Sequence, residues 1–309
     1  MSSSEVRSAQ LTILTPTWNR KHLLSQLYES LKRQDVPEGS FEWLVVDDGS
    51  TDGTLEWVQT KAVESSIPIR WLRLDNGGKH RAWNRGLTAV ASPWVLVVDS
   101  DDWLVENALC SALTDIMTRG NDPEILAFVA PCSLPGLKEQ TSSLPSQPIR
   151  YAEWLETYKR DCSVLVRTET LKAYPFPEYA GEKFIAESVV FSQMFRDGGI
   201  AFTRNTLIGR EYHPGGLSDR SVQMRASSPL GAMRTYGEEI NAKVRGMRKV
   251  RAIINYYRYF FHAKANHNPD LCIEFSVLKI LAIPLGAAIY MFDRGRMFLP
   301  MSLRKNDVG

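Results

Sequence analysis

Cysteine is scarce in this chain, and its four copies, Cys110, Cys132, Cys162 and Cys272, are scattered. They show neither metal-ligand spacing nor a disulfide framework. That leaves reduced thiols, mostly in the core, and a reducing compartment. Residues 1–8 are polar and lack an apolar signal core, so secretion is not expected and a cytoplasmic chain is. Long apolar runs are missing too. The uncharged run from Ile280 to Phe292 contains Pro284 and Gly286, and it falls short of the about 20 apolar residues that cross a bilayer. Charge of one sign is not in excess: 37 Lys and Arg against 35 Asp and Glu leave +2. No internal repeat is present, and no recognised nucleic-acid motif accompanies the basic C-terminal segment, so no nucleic-acid partner is expected. What is there suffices for one large core or two smaller ones: 309 residues, 44% of them hydrophobic.

The most informative segment is Trp94-Val95-Leu96-Val97-Val98-Asp99-Ser100-Asp101-Asp102. A β-branched apolar strand ends in three carboxylates. Asp99 and Asp101 stand two apart, a spacing that points side chains the same way from an extended chain. Two carboxylates aimed at one spot repel unless a cation lies between them. Hard oxygen donors suit Mg²⁺ or Mn²⁺, which completes its shell with substrate phosphates. The other reading of this run is an acidic turn after a strand.

The surroundings extend the pattern. Leu11 to Arg20 is an apolar strand stopped by Pro16, followed by an amphipathic stretch from Lys21 to Gln34. A second strand, Glu42 to Val46, leads into Asp47-Asp48-Gly49-Ser50-Thr51-Asp52-Gly53-Thr54, an acidic turn and a helix start. A third, about Ile69 to Leu74, leads into Asn76-Gly77-Gly78-Lys79-His80-Arg81-Ala82-Trp83-Asn84-Arg85-Gly86. Strands alternating with helices imply an α/β fold with a mostly parallel sheet, whose ligands bind outside the carboxyl ends of the strands. Each acidic or glycine-rich motif falls at such an end.

In this order and spacing, the four motifs resemble family 2 glycosyltransferases of the GT-A fold, inverting enzymes whose bacterial members build surface polysaccharides. The resemblance is dense over residues 9–105 and weaker to about residue 220. It implies a nucleotide-sugar-binding half over 9–105 and an acceptor-binding half over 106–225; residues 231–309 read separately, from charge and helical spacing, as a basic amphipathic helical region. It implies a nucleoside-diphosphate sugar, with uridine favoured by family habit, as donor, and a hydroxyl of a glycan or lipid-linked acceptor. By the same resemblance Thr15, Pro16 and Thr17 line the nucleotide pocket and Asp48 accepts a hydrogen bond from the base. Asp47 supports that loop, and Asp52 caps and turns the chain. Lys79 reaches the diphosphate as a point charge, with a solvated lysine as the other reading. Asn84 matches a family asparagine that either touches ligand or holds packing. Asp99 and Asp101 match the ribose and metal carboxylates, with Asp101 the metal ligand. Asp102 supports them or caps the next helix.

The resemblance also calls for a general base at a helix start. Phe191 aligned with the family's helix aromatic puts Glu187 there, with Ala186 in place of the usual acidic neighbour. Glu182 is the runner-up, and surface carboxylates are the other reading of both. His213 is a candidate metal or diphosphate ligand, and Arg220 or Arg225 a candidate phosphate contact. Pro131 to Pro148 reads as a loop, Tyr151 to Leu155 as a short helix with packing aromatics, and Cys162 to Arg167 as a further strand.

From residue 231 onward there are 13 Lys and Arg against 6 Asp and Glu. Lys243 to Lys264 sets Val244, Met247, Val250, Ile254, Tyr257 and Phe261 at helical spacing among cations, which suits an anionic membrane surface. Peripheral membrane contact through 243–292 is the expectation; an ordinary helical subdomain or a homo-oligomer interface would give the same pattern. Two other functions fit the residues less well. A sugar nucleotidyltransferase needs a glycine-rich run after the first strand, where Pro16-Thr17-Trp18-Asn19 stands instead. A non-catalytic nucleotide-sugar-binding module would fit Ala186 but not the retained Asp99, Asp101 and Glu187.

Overall fold

The structure, a computed structural model, describes residues 9–135, 145–157, 161–211, 221–263 and 277–297. They form two compact units. One comprises residues up to Phe176 together with Gln193–Gly216, the other Pro177–Ser192 together with the chain from Leu217 onward.

In the first unit β1 (Leu11–Thr17), α1 (Lys21–Lys32), β2 (Phe41–Asp47), α2 (Thr54–Glu64), β3 (Ile69–Arg73), α3 (Lys79–Ala89) and β4 (Trp94–Val97) alternate. Then come β5 (Trp103–Leu104), α4 (Ala108–Arg119), β6 (Ala127–Ser133), α5 (Tyr151–Thr157), β7 (Cys162–Arg167) and α6 (Thr168–Ala173). The helix α7 (Ser188–Met194) crosses between the units, and β8 (Ile200–Phe202) and β9 (Ile208–Gly209) return to the first. Strand order is β3-β2-β1-β4-β7-β6-β9-β5, with β8 beside β6. The β3-β2-β1-β4 half is parallel, and β7 joins β4 and β6 antiparallel.

Every residue of β1 is buried, as befits a parallel strand covered on both faces. Pro16 does not stop it: β1 runs on to Thr17 and pairs with β2 over its whole length. The β1–β4 ladder ends earlier, at Leu14 opposite Val97. Pro16 therefore sits where the missing N–H removes no ladder bond to β4. The strands part there, and chain order reverses between β1 and β4. Such a switch point opens a crevice at the carboxyl ends. Beneath it α3 presses onto the sheet: a Cβ on Gly86 would lie 2.6 Å from Leu14 Cδ1 and 2.8 Å from Val46 Cγ2. Trp43 is fully buried and donates its indole N–H to Thr15 Oγ1 at 3.0 Å.

The units do not follow the expected boundaries at 105 and 225. Antiparallel ladders of β4 with β7 and β7 with β6 carry much of 106–225 into the first unit. Residues 177–192 belong instead with α8 (Ser221–Ser227), α9 (Pro229–Asn241), α10 (Gly246–His262) and α11 (Val277–Met297). The stretch expected as a loop from Pro131 begins inside β6; residues 136–144 lie outside the described residues. Tyr151 and Trp154 are buried edge to face, as core packing. Cys110 is exposed, against the expectation of core thiols, whereas burial raises the Cys132 thiol to about 12 and Cys162 higher still. Cys272 lies outside the described residues.

Tyr256 and Tyr259 of α10 pack with Ala232 and Met233 of α9, while Ile254, Tyr257 and Phe261 meet α11. Of the stripe, Val244 is buried, Val250, Ile254, Tyr257 and Phe261 are half-buried, and Met247 is exposed. Ile280 to Phe292 lies within one continuous helix, α11, that runs through Pro284.

Candidate functional site

The β1–α1 and β2–α2 turns are stitched together by side chains. Asn19 N–H donates to Ser50 Oγ at 2.8 Å, and Thr51 N–H donates to Asn19 Oδ1 at 2.7 Å. Asp52 accepts from the backbone of Lys21 and Thr54. Burial raises its carboxyl, but the Thr54 and Lys21 bonds outweigh this and hold it below the ordinary value. Its bonds from Thr54 form the turn expected of Asp52, whereas the N-cap of α2 is Gly53.

The two carboxylates after β2 have separate tasks. Asp47 accepts from Ser50 N–H and from Arg73 Nη1, both at 2.9 Å, so it braces the turn. Asp48, 3% exposed, accepts from Gly77 N–H at 2.9 Å, Gly78 N–H at 2.7 Å and Asn76 Nδ2 at 3.0 Å. A carboxylate offers about four acceptor positions. Three are engaged in holding the loop that begins α3, and the last, on Oδ1, is what a base contact would use. Thr15 and Pro16 are buried in β1 beside this turn, and Thr17 Oγ1 is buried without a hydrogen-bond partner.

After β4 the chain does not stay extended. Asp102 N–H donates to Asp99 O at 3.1 Å, closing a turn. The same-side argument from strand alternation therefore fails for Asp101. What gathers the carboxylates is a set of cations. Lys79 pairs with Asp99, Arg20 with Asp101, and Arg210 grips Asp102 through two nitrogens at 2.7–3.2 Å. Burial raises the Asp99 carboxyl, but Lys79, then Arg210 and Arg20, hold it below the ordinary value. Burial, with Asp99 and Asp101 nearby, pushes Asp102 up to about 6 against the pull of Arg210. Asp102 does not cap the following helix, whose N-cap is Asn107.

These donors fit a divalent cation in one sense only. Among the described residues no three His, Cys, Asp or Glu side chains gather into a site closed by protein. Asp99 and Asp101 supply hard oxygens, and their half-exposed side chains leave room for phosphate and water to complete a shell. Three carboxylates facing three cations are near neutral together, so an added dication leaves a surplus that matches a diphosphate.

Three residues here escaped the sequence reading. Arg20 closes the first motif and Arg210 follows β9, but nothing in their spacing ties them to Asp101 and Asp102. Trp18, which follows β1 directly, is 52% exposed. Asn84 binds the Phe176 backbone twice, at 2.9 Å each, which is the packing role.

In the second unit, both Glu182 oxygens accept N–H bonds of 2.8 Å from Leu230 and Gly231 in the first turn of α9. The runner-up for the base is therefore a buried helix cap. Glu187 lies immediately before α7, half-buried, and its carbonyl accepts from Val190 and Phe191. Arg225 stacks 5.7 Å from the Phe184 ring centroid. His213 and Arg220 lie outside the described residues.

The glycosyl transferase family 2 profile matches residues 12–171. Poly(ribitol-phosphate) β-N-acetylglucosaminyltransferase TarS of Staphylococcus aureus is 33% identical over 113 residues, 37% of this chain and 20% of that protein. The putative teichuronic acid biosynthesis glycosyltransferase TuaG of Bacillus subtilis is 29% identical over 110 residues, 35% of this chain and 42% of that one. The chain thus spans under half the length of these relatives. The solved structure of TarS residues 1–349 with UDP-GlcNAc superposes with a TM-score of 0.59 at 19% identity, covering 91% of this chain and 80% of that one. The mannosyltransferase PcManGT of Pyrobaculum calidifontis, solved with GDP-mannose and Mn²⁺, gives 0.55 at 16%, covering 94% and 83%. With the profile spanning half of its length and the GT-A sheet beneath the site, this chain belongs to glycosyltransferase family 2.

Proposed function

We propose that the protein transfers a sugar, with inversion, from a nucleoside-diphosphate sugar to a hydroxyl of a glycan or lipid-linked acceptor in bacterial surface-polysaccharide synthesis. The observation that carries this is the cluster of Asp99, Asp101 and Asp102 against Lys79, Arg20 and Arg210 at the parting of β1 and β4. The donor named for the TarS structure supports a UDP-sugar, and the ion named for PcManGT supports a divalent metal. Trp18 and Asp48 would hold the base, by stacking and through the remaining acceptor position on Oδ1. Asp99 and Asp101 would hold Mn²⁺ or Mg²⁺, which when bound offsets charge on the leaving diphosphate. Lys79 and Arg20 turn from carboxylate to phosphate as the donor enters, adding preorganised positive charge where negative charge develops. Glu187, at its helix start, takes the acceptor proton, so the acceptor oxygen attacks the anomeric carbon from the face opposite the diphosphate. Transfer takes place in the cytoplasm, at the inner face of the membrane where the acceptor is lipid-linked.

Calorimetric titration of a nucleotide-sugar panel with and without Mn²⁺ tests the donor site. One UDP-sugar is expected to bind in a metal-dependent way, and Asp101→Ala to abolish that dependence. Metal-independent binding of equal strength in Asp101→Ala would remove the metal assignment. Glu187→Gln is expected to keep donor affinity and lose transfer; retained transfer would remove the base.

A further inference from the structure

The α11 helix has two unlike sides. Toward α10 it presents small or paired groups: buried Ala282, Gly286, and Asp293, which binds Arg258 at 2.6 and 2.7 Å. A Cβ on Gly286 would lie 2.8 Å from Tyr257 Cβ and 3.0 Å from the Ile254 carbonyl, so the backbones nearly touch. The other side carries Leu281, Leu285, Ala288, Met291 and Phe292, a stripe at helical spacing. Its four large members are each more than half exposed. No charged residue occurs from Ile280 to Phe292. Gly286 meets Ile254 and Tyr257, and Tyr290 meets Phe261 and His262, so the two helices advance in the same direction. The exposed cations Arg245, Arg248, Lys249 and Arg251 at the start of α10 therefore lie toward the Leu281 end of the stripe.

We propose that this face of α11 seats the protein on an anionic lipid surface, the apolar stripe entering the acyl boundary and the α10 cations meeting headgroup phosphates. The charge pattern selects this occupant, because a bilayer surface presents acyl chains beside anionic groups. A second copy of the chain is a poorer fit. The stripe from Leu281 to Phe292 is about 16 Å long, a single-helix strip well below the roughly 800 Å² per partner of a stable interface. Among the described residues no helix is long and apolar enough to cross a membrane, so α11 lies along the surface. The inference rests on α10 and α11 alone and stands or falls apart from the glycosyl-transfer reading.

The test is flotation of the full chain with vesicles of phosphatidylcholine alone or mixed with phosphatidylglycerol, beside light scattering of the protein without lipid. Binding is expected only to the anionic vesicles. Leu285→Asp/Phe292→Asp is expected to weaken it more than about tenfold, since both side chains lose their apolar burial. Arg245→Gln/Lys249→Gln changes only exposed cations, leaving Arg248 and Arg251 beside Glu239, and is expected to weaken it as well, which keeps the test open if the first variant is unstable. Failure of the wild type to float with anionic vesicles overturns the proposal. So does undiminished flotation of a folded variant, or a dimer without lipid that the stripe substitutions dissociate.

Discussion

At the scale of single residues, the site is organised by pairing each carboxylate with its own cation. Asp101 and Arg20 are half-exposed, and such a pair contributes about 0–1 kcal/mol to stability. They are therefore free to exchange partners. Asp102 and Arg210 are different: Asp102 is 4% exposed and held by three hydrogen bonds. Removing one partner of a buried pair strands the other charge, at a cost of about 3–5 kcal/mol. Arg210→Met is therefore expected to lower stability by several kcal/mol in urea unfolding at neutral pH. Arg20→Ala is expected to change it by less than about 1 kcal/mol. Equal effects would show that exposure does not separate the two pairs.

At the scale of elements, the glycines of the third motif serve the fold before they serve a ligand. Gly77 and Gly78 donate to Asp48, which fixes the start of α3. Gly86, two turns on, lets that helix lie against Leu14 and Val46. Overpacking of this kind costs typically about 1–3 kcal/mol. Gly86→Ala is accordingly expected to lower the melting temperature, with donor affinity falling as α3 and Lys79 are lifted from the sheet. An unchanged melting temperature would mean that Leu14 and Val46 can rotate away. The same logic separates Glu182 from Glu187. Both read from sequence as carboxylates near a helix start, but only the tertiary partner, the first turn of α9, shows Glu182 to be a cap.

At the scale of the molecule, two compact units mean that unfolding need not be one transition. The second unit contains a histidine sensitive to acid. Burial holds His262 below its ordinary value despite its contact with Asp293. A depressed histidine binds fewer protons folded than unfolded, so its contribution is complete above about pH 6.5 and is lost as pH falls below it. Hydrogen exchange is expected to show α10 and α11 opening more readily at pH 5.5 than at pH 7.5, with less change in β1 to β4. His262→Gln is expected to reduce that difference. An identical pH response in the variant would assign the effect to other groups.

The parallel half of the sheet, the position of every motif at a strand end and the family were legible in sequence, because apolar strands and turn residues act locally through their own backbone. The stretch from Lys243 to Lys264 was legible as a helix for the same reason. Its partner was not. A repeat of 3.6 residues says that a stripe is buried, not what buries it, so only packing showed that α11 covers the α10 stripe and leaves its own exposed. Likewise the three aspartates after β4 announced themselves in the chain. The cations opposing them come from residues 20, 79 and 210, brought together only when the sheet is assembled.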